Sequence, residues 1–357
     1  MLRRIAFFFG AMLVGLALMV RAGSAQDVRI FTAPGPERHI LTIDTATDLA
    51  AFEPLIRDFQ SIAPDVTIRY REFVTNALFE AARRECAIER PSADLIITSS
   101  VDHLVVLANE GCALAHRSAE TQSIPTWMRW RDEVFGFTFE PAVIVYNRAG
   151  VKPDEVPRTR LDLIELMRAQ PARFAGRIGG YDIARSGIGY LFAAFDARNA
   201  LIYGRMLEGF GRMRIVTRCC SSNLIEELAS GDLLIGYNIL GSYAYSAQKA
   251  GAPIGIVIPH DYVLALSRGV MIPAKTAQPE LARRFLNYLL SQRGQRIVFQ
   301  EAFFFSPQDE VPQGVEALPG GLTSGAVRPI VIGPGLLSMQ DRAKRERFLN
   351  EWRKAIP

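Results

Sequence analysis

Three times before Asn109 a short apolar run ends in hydroxyl-bearing residues that open a helix, and nothing else in the chain limits its fold as much. His39 to Thr45 reads as a buried strand. Thr45-Ala46-Thr47-Asp48 closes it at a helix whose Leu49, Phe52, Leu55, Ile56 and Phe59 recur at helical spacing. Val66 to Tyr70 is the next strand and leads to a helix from about Asn76 to Glu85. Asp94 to Thr98 is the third strand, and it delivers Ser99-Ser100 to the helix Val101 to Asn109. Successive βα units of this kind build a doubly wound α/β lobe. Ligands of such lobes sit at the carboxyl ends of the strands. Thr45, Thr47, Ser99 and Ser100 are therefore candidate ligand contacts, with plain helix capping as the competing role.

From Trp127 to Tyr146 the pattern is strand-like, interrupted by Pro141, and reads as a crossing into a second lobe. There the helix Arg160 to Gln170, the strand Arg177 to Tyr181, the turn Asp182 to Gly187 and the aromatic helix Tyr190 to Arg198 follow one another. The densest signals run from Cys219 to Tyr245. Ser222 or Asn223 can cap a helix, Glu226 completes a capping box with Asn223, and Ser230-Gly231 supplies a left-handed stop. Leu233 to Ile235 is a short strand, Gly236-Tyr237-Asn238 its tip, and Gly241-Ser242 opens another helix. Ile254 to Pro259 adds a strand, and Tyr262 to Ile272 returns to the first lobe. Two crossings predict a hinge, with lobe 1 at 26–140 and 270–357 and lobe 2 at 141–269. The helices after Pro279 are expected to pack back on lobe 1.

The N-terminus is a separate signal. Arg3-Arg4, an apolar run from Ile5 to Val20, and Ala22-Gly23-Ser24-Ala25 predict a secretory leader over residues 1–25, cleaved after Ala25, and a periplasmic protein. Taking Arg3, Arg4 and Arg21 from the 41 basic residues leaves 38 against 37 acidic ones. That balance gives nucleic acid no footprint. Four cysteines in an exported chain allow three pairings. Cys86 and Cys112 flank a predicted strand and helix and make the expected bridge. Cys219 and Cys220 are left open as a strained ring, two thiols, or partners of the first pair.

The ordered elements resemble the periplasmic solute-binding proteins of ABC importers, in the two-lobed class related to ferric-iron receptors and to sugar-phosphate and phosphoglycerate receptors. Ser230-Gly231-Asp232, Gly236 to Tyr243, Phe139-Glu140-Pro141 to Tyr146-Asn147 and the Pro-Glu-Leu-Ala helix at 279 carry the resemblance. It implies a type II periplasmic binding fold, α/β, with two doubly wound lobes joined by crossing strands. It also implies a monomer that delivers a small-molecule solute to an inner-membrane ABC permease, or presents it to a sensor kinase. Ferric receptors of this group place two adjacent tyrosines where this chain has Ile239 and Leu240, so no metal site is expected.

The loops that remain suit a carboxylate or phosphate. Arg185 offers a bidentate contact that Ser186 and the Gly187 N–H can complete, against the alternative of an interlobe salt bridge. Ser221 and Ser222 either touch the ligand or cap a helix. Tyr237 either covers it or packs in the core, and Asn238 is placed to hydrogen-bond it. No catalytic constellation is recognisable: the four histidines are isolated, and Glu226-Glu227 point apart on a helix. No cofactor is expected.

Overall fold

The computed structural model describes residues 27–199, 201–300, 312–322 and 325–356; the expected leader lies outside them. Among the described residues the strands form two sheets. In the first, His39–Thr45 lies between Val66–Glu72 and Leu95–Thr98 and is parallel to both. Asp27–Phe31 borders Val66–Glu72 in antiparallel pairing, and Gly269–Met271 joins Leu95–Thr98 from far along the chain, also antiparallel. The second sheet is built around Glu140–Asn147, which pairs with Ile235–Leu240 and Ile254–Val257. Ile178–Tyr181 runs parallel to Ile235–Leu240, and Val216–Arg218 follows it. The chain passes between sheets after Gly136, again after Leu266, and a third time between Met271 and Val315, one crossing more than the two expected.

Apolar stripes decide the packing. In the helix Leu49–Ile62 the residues Phe52, Leu55, Ile56 and Phe59 are buried, as their spacing predicts. Phe59 meets Phe285 edge-on at 4.8 Å, which docks the helix Pro279–Leu290 on the first lobe. Cys86 and Cys112 are bonded across a Cα separation of 5.5 Å.

The last stretch departs from the expectation that everything after residue 270 belongs to lobe 1. Val315–Glu316 pairs with Ile254–Val257, and Val327–Pro329 with Val263–Leu266, both in the second lobe's sheet. The helix Arg342–Ala355 buries Leu349 and Trp352, and its Phe348 packs edge-on against Tyr190 and stacks on Tyr203. The apolar stripe of this charged helix thus docks on second-lobe helices. Sequence periodicity shows that such a stripe exists but not which lobe covers it.

The Cys219 to Tyr245 stretch also differs in detail. Its helix is Ser221–Ser230, with Cys220 at the N-cap and no capping side chain; Gly231 ends it at φ 85°. The following strand, Ile235–Leu240, does not stop at Asn238. Asn238 adopts φ 55°, and the register shifts between Gly236 and Ile239. This local kink lets the strand continue, so Tyr237 and Asn238 lie inside it.

Candidate interlobe ligand cleft

A cleft of about 300 Å³ separates the lobes. The first lobe lines it with Ala46, Asp48, Glu72, Phe73, Thr75 and Ser99, all at carboxyl ends of strands or first turns of helices. The second contributes Ile188, Leu240, Tyr243 and the run Cys219 to Asn223. Cys219 and Cys220 are bonded to each other, so the cleft wall carries a vicinal disulfide. The helices Thr75–Ala87 and Ser221–Ser230 begin at the cleft from opposite sides, and neither N-cap side chain takes up a first-turn N–H. Those N–H groups have no partner within the helix and carry the positive end of its dipole.

The charged side chains lining the cleft are carboxylates. The Glu72 carboxylate accepts the Leu49 N–H at 3.2 Å, and its pKa is raised to about 6 by burial and by the neighbouring Asp48 charge. Asp48 is also raised, through burial, against the opposing pull of Arg268, Ser222 and Tyr243. Asp48 is an interlobe bridge as well: its N–H donates to the Tyr243 hydroxyl at 3.2 Å.

Beneath the cleft lies the joint between the lobes. Glu140 and Arg268, both fully buried, stand on the first two of the segments that cross between the lobes. Arg268 donates to Glu140 through Nε and Nη2, each at 3.1 Å, and to the Thr47 hydroxyl at 2.5 Å. Glu140 also accepts from Thr138 at 3.0 Å and from Ser242 at 2.6 Å. Burial is the largest single effect on Arg268 and opposes its charge, but Glu140 and Tyr243 together outweigh it and hold the guanidinium protonated. The pair ties these two segments to the loop after His39–Thr45.

A family model described as bacterial extracellular solute-binding protein matches residues 41–304. The chain belongs to that family. Among solved structures, the substrate-binding protein of an ABC transporter from Agrobacterium tumefaciens is 29% identical, with a TM-score of 0.86 over 94% of this chain and 99% of that one. Two more distant structures share the fold. The periplasmic binding protein AfuA from Actinobacillus pleuropneumoniae, with fructose-6-phosphate bound, has a TM-score of 0.71 at 16% identity over 90% of this chain and 99% of that one. Iron-bound HitA from Pseudomonas aeruginosa has 0.63 at 16%, over 87% and 99%. No curated protein matches by sequence.

In this solute-binding fold the expected contact residues separate into three groups. Ser99, Ser221 and Ser222 line the cleft, with the Ser221 hydroxyl 2.6 Å from the Tyr181 hydroxyl. Thr45, Thr47, Ser100, Ser186 and Gly187 are buried just behind it. Thr45 accepts the Thr47 N–H at 3.0 Å, Ser186 accepts the Gly189 N–H at 3.2 Å, and the Gly187 N–H donates to Thr75 at 2.8 Å across the lobes. Arg185, Tyr237 and Asn238 are outside the cleft. The Arg185 side chain is exposed, because its turn presents Ser186 and Gly187 inward and leaves the preceding residue facing solvent. Tyr237 and Asn238 belong to the core of the second lobe, where both donate to Asp196, at 2.7 and 2.6 Å. Arg160 completes that cluster, donating to the Tyr237 hydroxyl at 2.7 Å and to Asp196 at 3.2 Å. The role expected of Tyr237 as a ligand cover is therefore corrected: the extended strand turns it inward.

Asp48, Glu72, Thr75 and Tyr243 line the cleft without having been singled out from the sequence as ligand contacts. The signal for Asp48 was present, since it ends the first βα turn. Glu72 sits two residues beyond the expected end of its strand.

Proposed function

We propose that this protein is the periplasmic receptor of an ABC importer, closing its two lobes on a small hydroxylated organic anion such as a sugar phosphate, a phosphoglycerate or a hydroxy acid. The observation that carries the reading is the meeting of two helix starts, at Thr75 and Ser221, from opposite lobes in one cleft. A phosphate or carboxylate placed between them receives N–H groups from both lobes at once and favours closure. Asp48 and Glu72 accept hydrogen bonds at the same cleft and repel a bare second anionic group, so the body of the solute supplies hydroxyl donors. A cleft of about 300 Å³ suits a molecule of this size. The Agrobacterium structure supports the importer assignment, and the AfuA complex is an instance of the same fold holding a phosphorylated sugar. Permease and ATPase genes beside this one would favour delivery to an importer; a sensor kinase gene would favour signalling.

Thermal-shift titration with hexose phosphates, phosphoglycerates, hydroxy acids, succinate, neutral sugars and quaternary amines tests the reading. Hydroxylated anions should stabilise the protein and succinate should not. Stabilisation only by neutral or cationic solutes, or a tyrosinate colour on adding ferric ion, would refute it.

A further inference from the structure

At one end of the cleft the lobes meet without a gap. The Gly187 N–H donates to the Thr75 hydroxyl at 2.8 Å, and Asn76 Nδ2 donates to the Ala184 carbonyl at 3.1 Å. Gly187 lies so close that a Cβ on it would stand 2.6 Å from Ser100 Oγ, 2.7 Å from His103 Cε1 and 3.1 Å from Asn76 Oδ1. Only glycine fits this contact. Among the described residues, Asn76 Oδ1, Ser100 Oγ and His103 Nδ1 are buried with no hydrogen-bond partner. Three polar atoms of the first lobe are thus kept dry by the first turn of a second-lobe helix, Gly187–Asn199.

We propose that this seam is a proton-sensitive latch, with His103 as a positioning residue that must stay neutral for the lobes to close. The inference rests on hinge closure as the mode of action. Phe79 stacks on the imidazole at 4.4 Å on one side, and Gly187 covers its Cε1 edge. In the closed form a charged imidazole at this place has no water. Burial lowers the His103 pKa, Asp102 and Glu80 raise it, Arg345 from the C-terminal helix lowers it, and a hydrogen bond with the Thr75 backbone raises it. Burial is the largest of these effects.

Opening lifts Gly187 away and gives Ser100, Asn76 and His103 to water, where the imidazole titrates near its ordinary value. Protons then bind the open form better than the closed one, so acid drives opening and solute release. The cleft carboxylates act in the other direction. Burial raises the pKa values of Asp48 and Glu72, so acid removes their repulsion and favours closure. Opening on acidification is therefore specific to the seam.

The experiment is small-angle X-ray scattering of the whole mature protein without added solute, from about pH 8 to about pH 5.5. The wild type should expand on acidification, its open-to-closed ratio rising up to about tenfold per pH unit below about pH 6.5. The His103→Gln variant should stay compact or tighten. Gly187→Leu, too large for the seam, should be expanded throughout. A wild type that does not expand, or a His103→Gln variant that expands as the wild type does, overturns the latch. If only the pH response is wrong, Gly187→Leu remains expanded. A Gly187→Leu variant as compact as the wild type at every pH also overturns the latch, because the seam then does not hold the solute-free lobes together, whereas closure on a solute is judged separately by the thermal-shift titration.

Discussion

Replacing Glu140 by glutamine tests whether the joint beneath the cleft is held by charge. The substitution keeps size and shape but leaves the Arg268 guanidinium fully buried without its opposing carboxylate. Breaking one side of a buried pair costs about 3–5 kcal/mol. With an unfolding entropy of about 2.1 cal/mol/K per residue, a chain of this length has an entropy of about 0.7 kcal/mol/K, so Tm should fall by about 4–7 °C. Calorimetry of Glu140→Gln, Arg268→Met and the double variant measures it. The double variant removes both charges and should recover more than half of the loss. Its remaining deficit reflects the Thr47, Thr138 and Ser242 hydroxyls, which lose charged partners. A Glu140→Gln protein within about 1 °C of wild type, or a double variant as unstable as the two single losses added, would refute the argument.

Two further outcomes follow from particular contacts. Gly211→Ala would put a Cβ 1.9 Å from the Ala355 carbonyl oxygen, so the C-terminal helix must shift at a cost of about 1–3 kcal/mol; hydrogen exchange should quicken over residues 342–355 and stay unchanged in the first lobe, and unchanged protection of that helix would count against its docking. Glu72→Gln should raise Tm at about pH 7.5 and lose the gain by about pH 4. The sign follows from a folded pKa of about 6, above that of the unfolded chain: ionised Glu72 destabilises the fold, and the penalty disappears once both states are protonated.

The residues that made the fold legible are those whose chemistry is local. Phe52, Leu55, Ile56 and Phe59 mark one helix by spacing, Gly231 ends another with a left-handed turn, and the hydroxyls after each strand mark where helices begin. Ser99, Ser221 and Ser222 reached the cleft because they sit at such strand and helix ends. Tyr237 and Asn238 did not, because a single left-handed residue extended their strand by the distance that turns a tip into a core. Arg185 chemically suits an anion, but a residue's side of a turn is fixed by what the turn packs against. Nothing along the chain pairs Asp48 with Tyr243, 195 positions away, or Arg268 with Glu140.

The sequence alone determined that this chain makes two α/β lobes with polar loops at the carboxyl ends of their strands, since periodicity and turn chemistry act over a few residues. The tertiary structure decided which loops face each other, that the C-terminal helix belongs to the second lobe, and that the cleft carries carboxylates and helix ends instead of a guanidinium. Those outcomes depend on contacts between segments far apart in the chain, whose energies come from burial and from charges brought together only by folding.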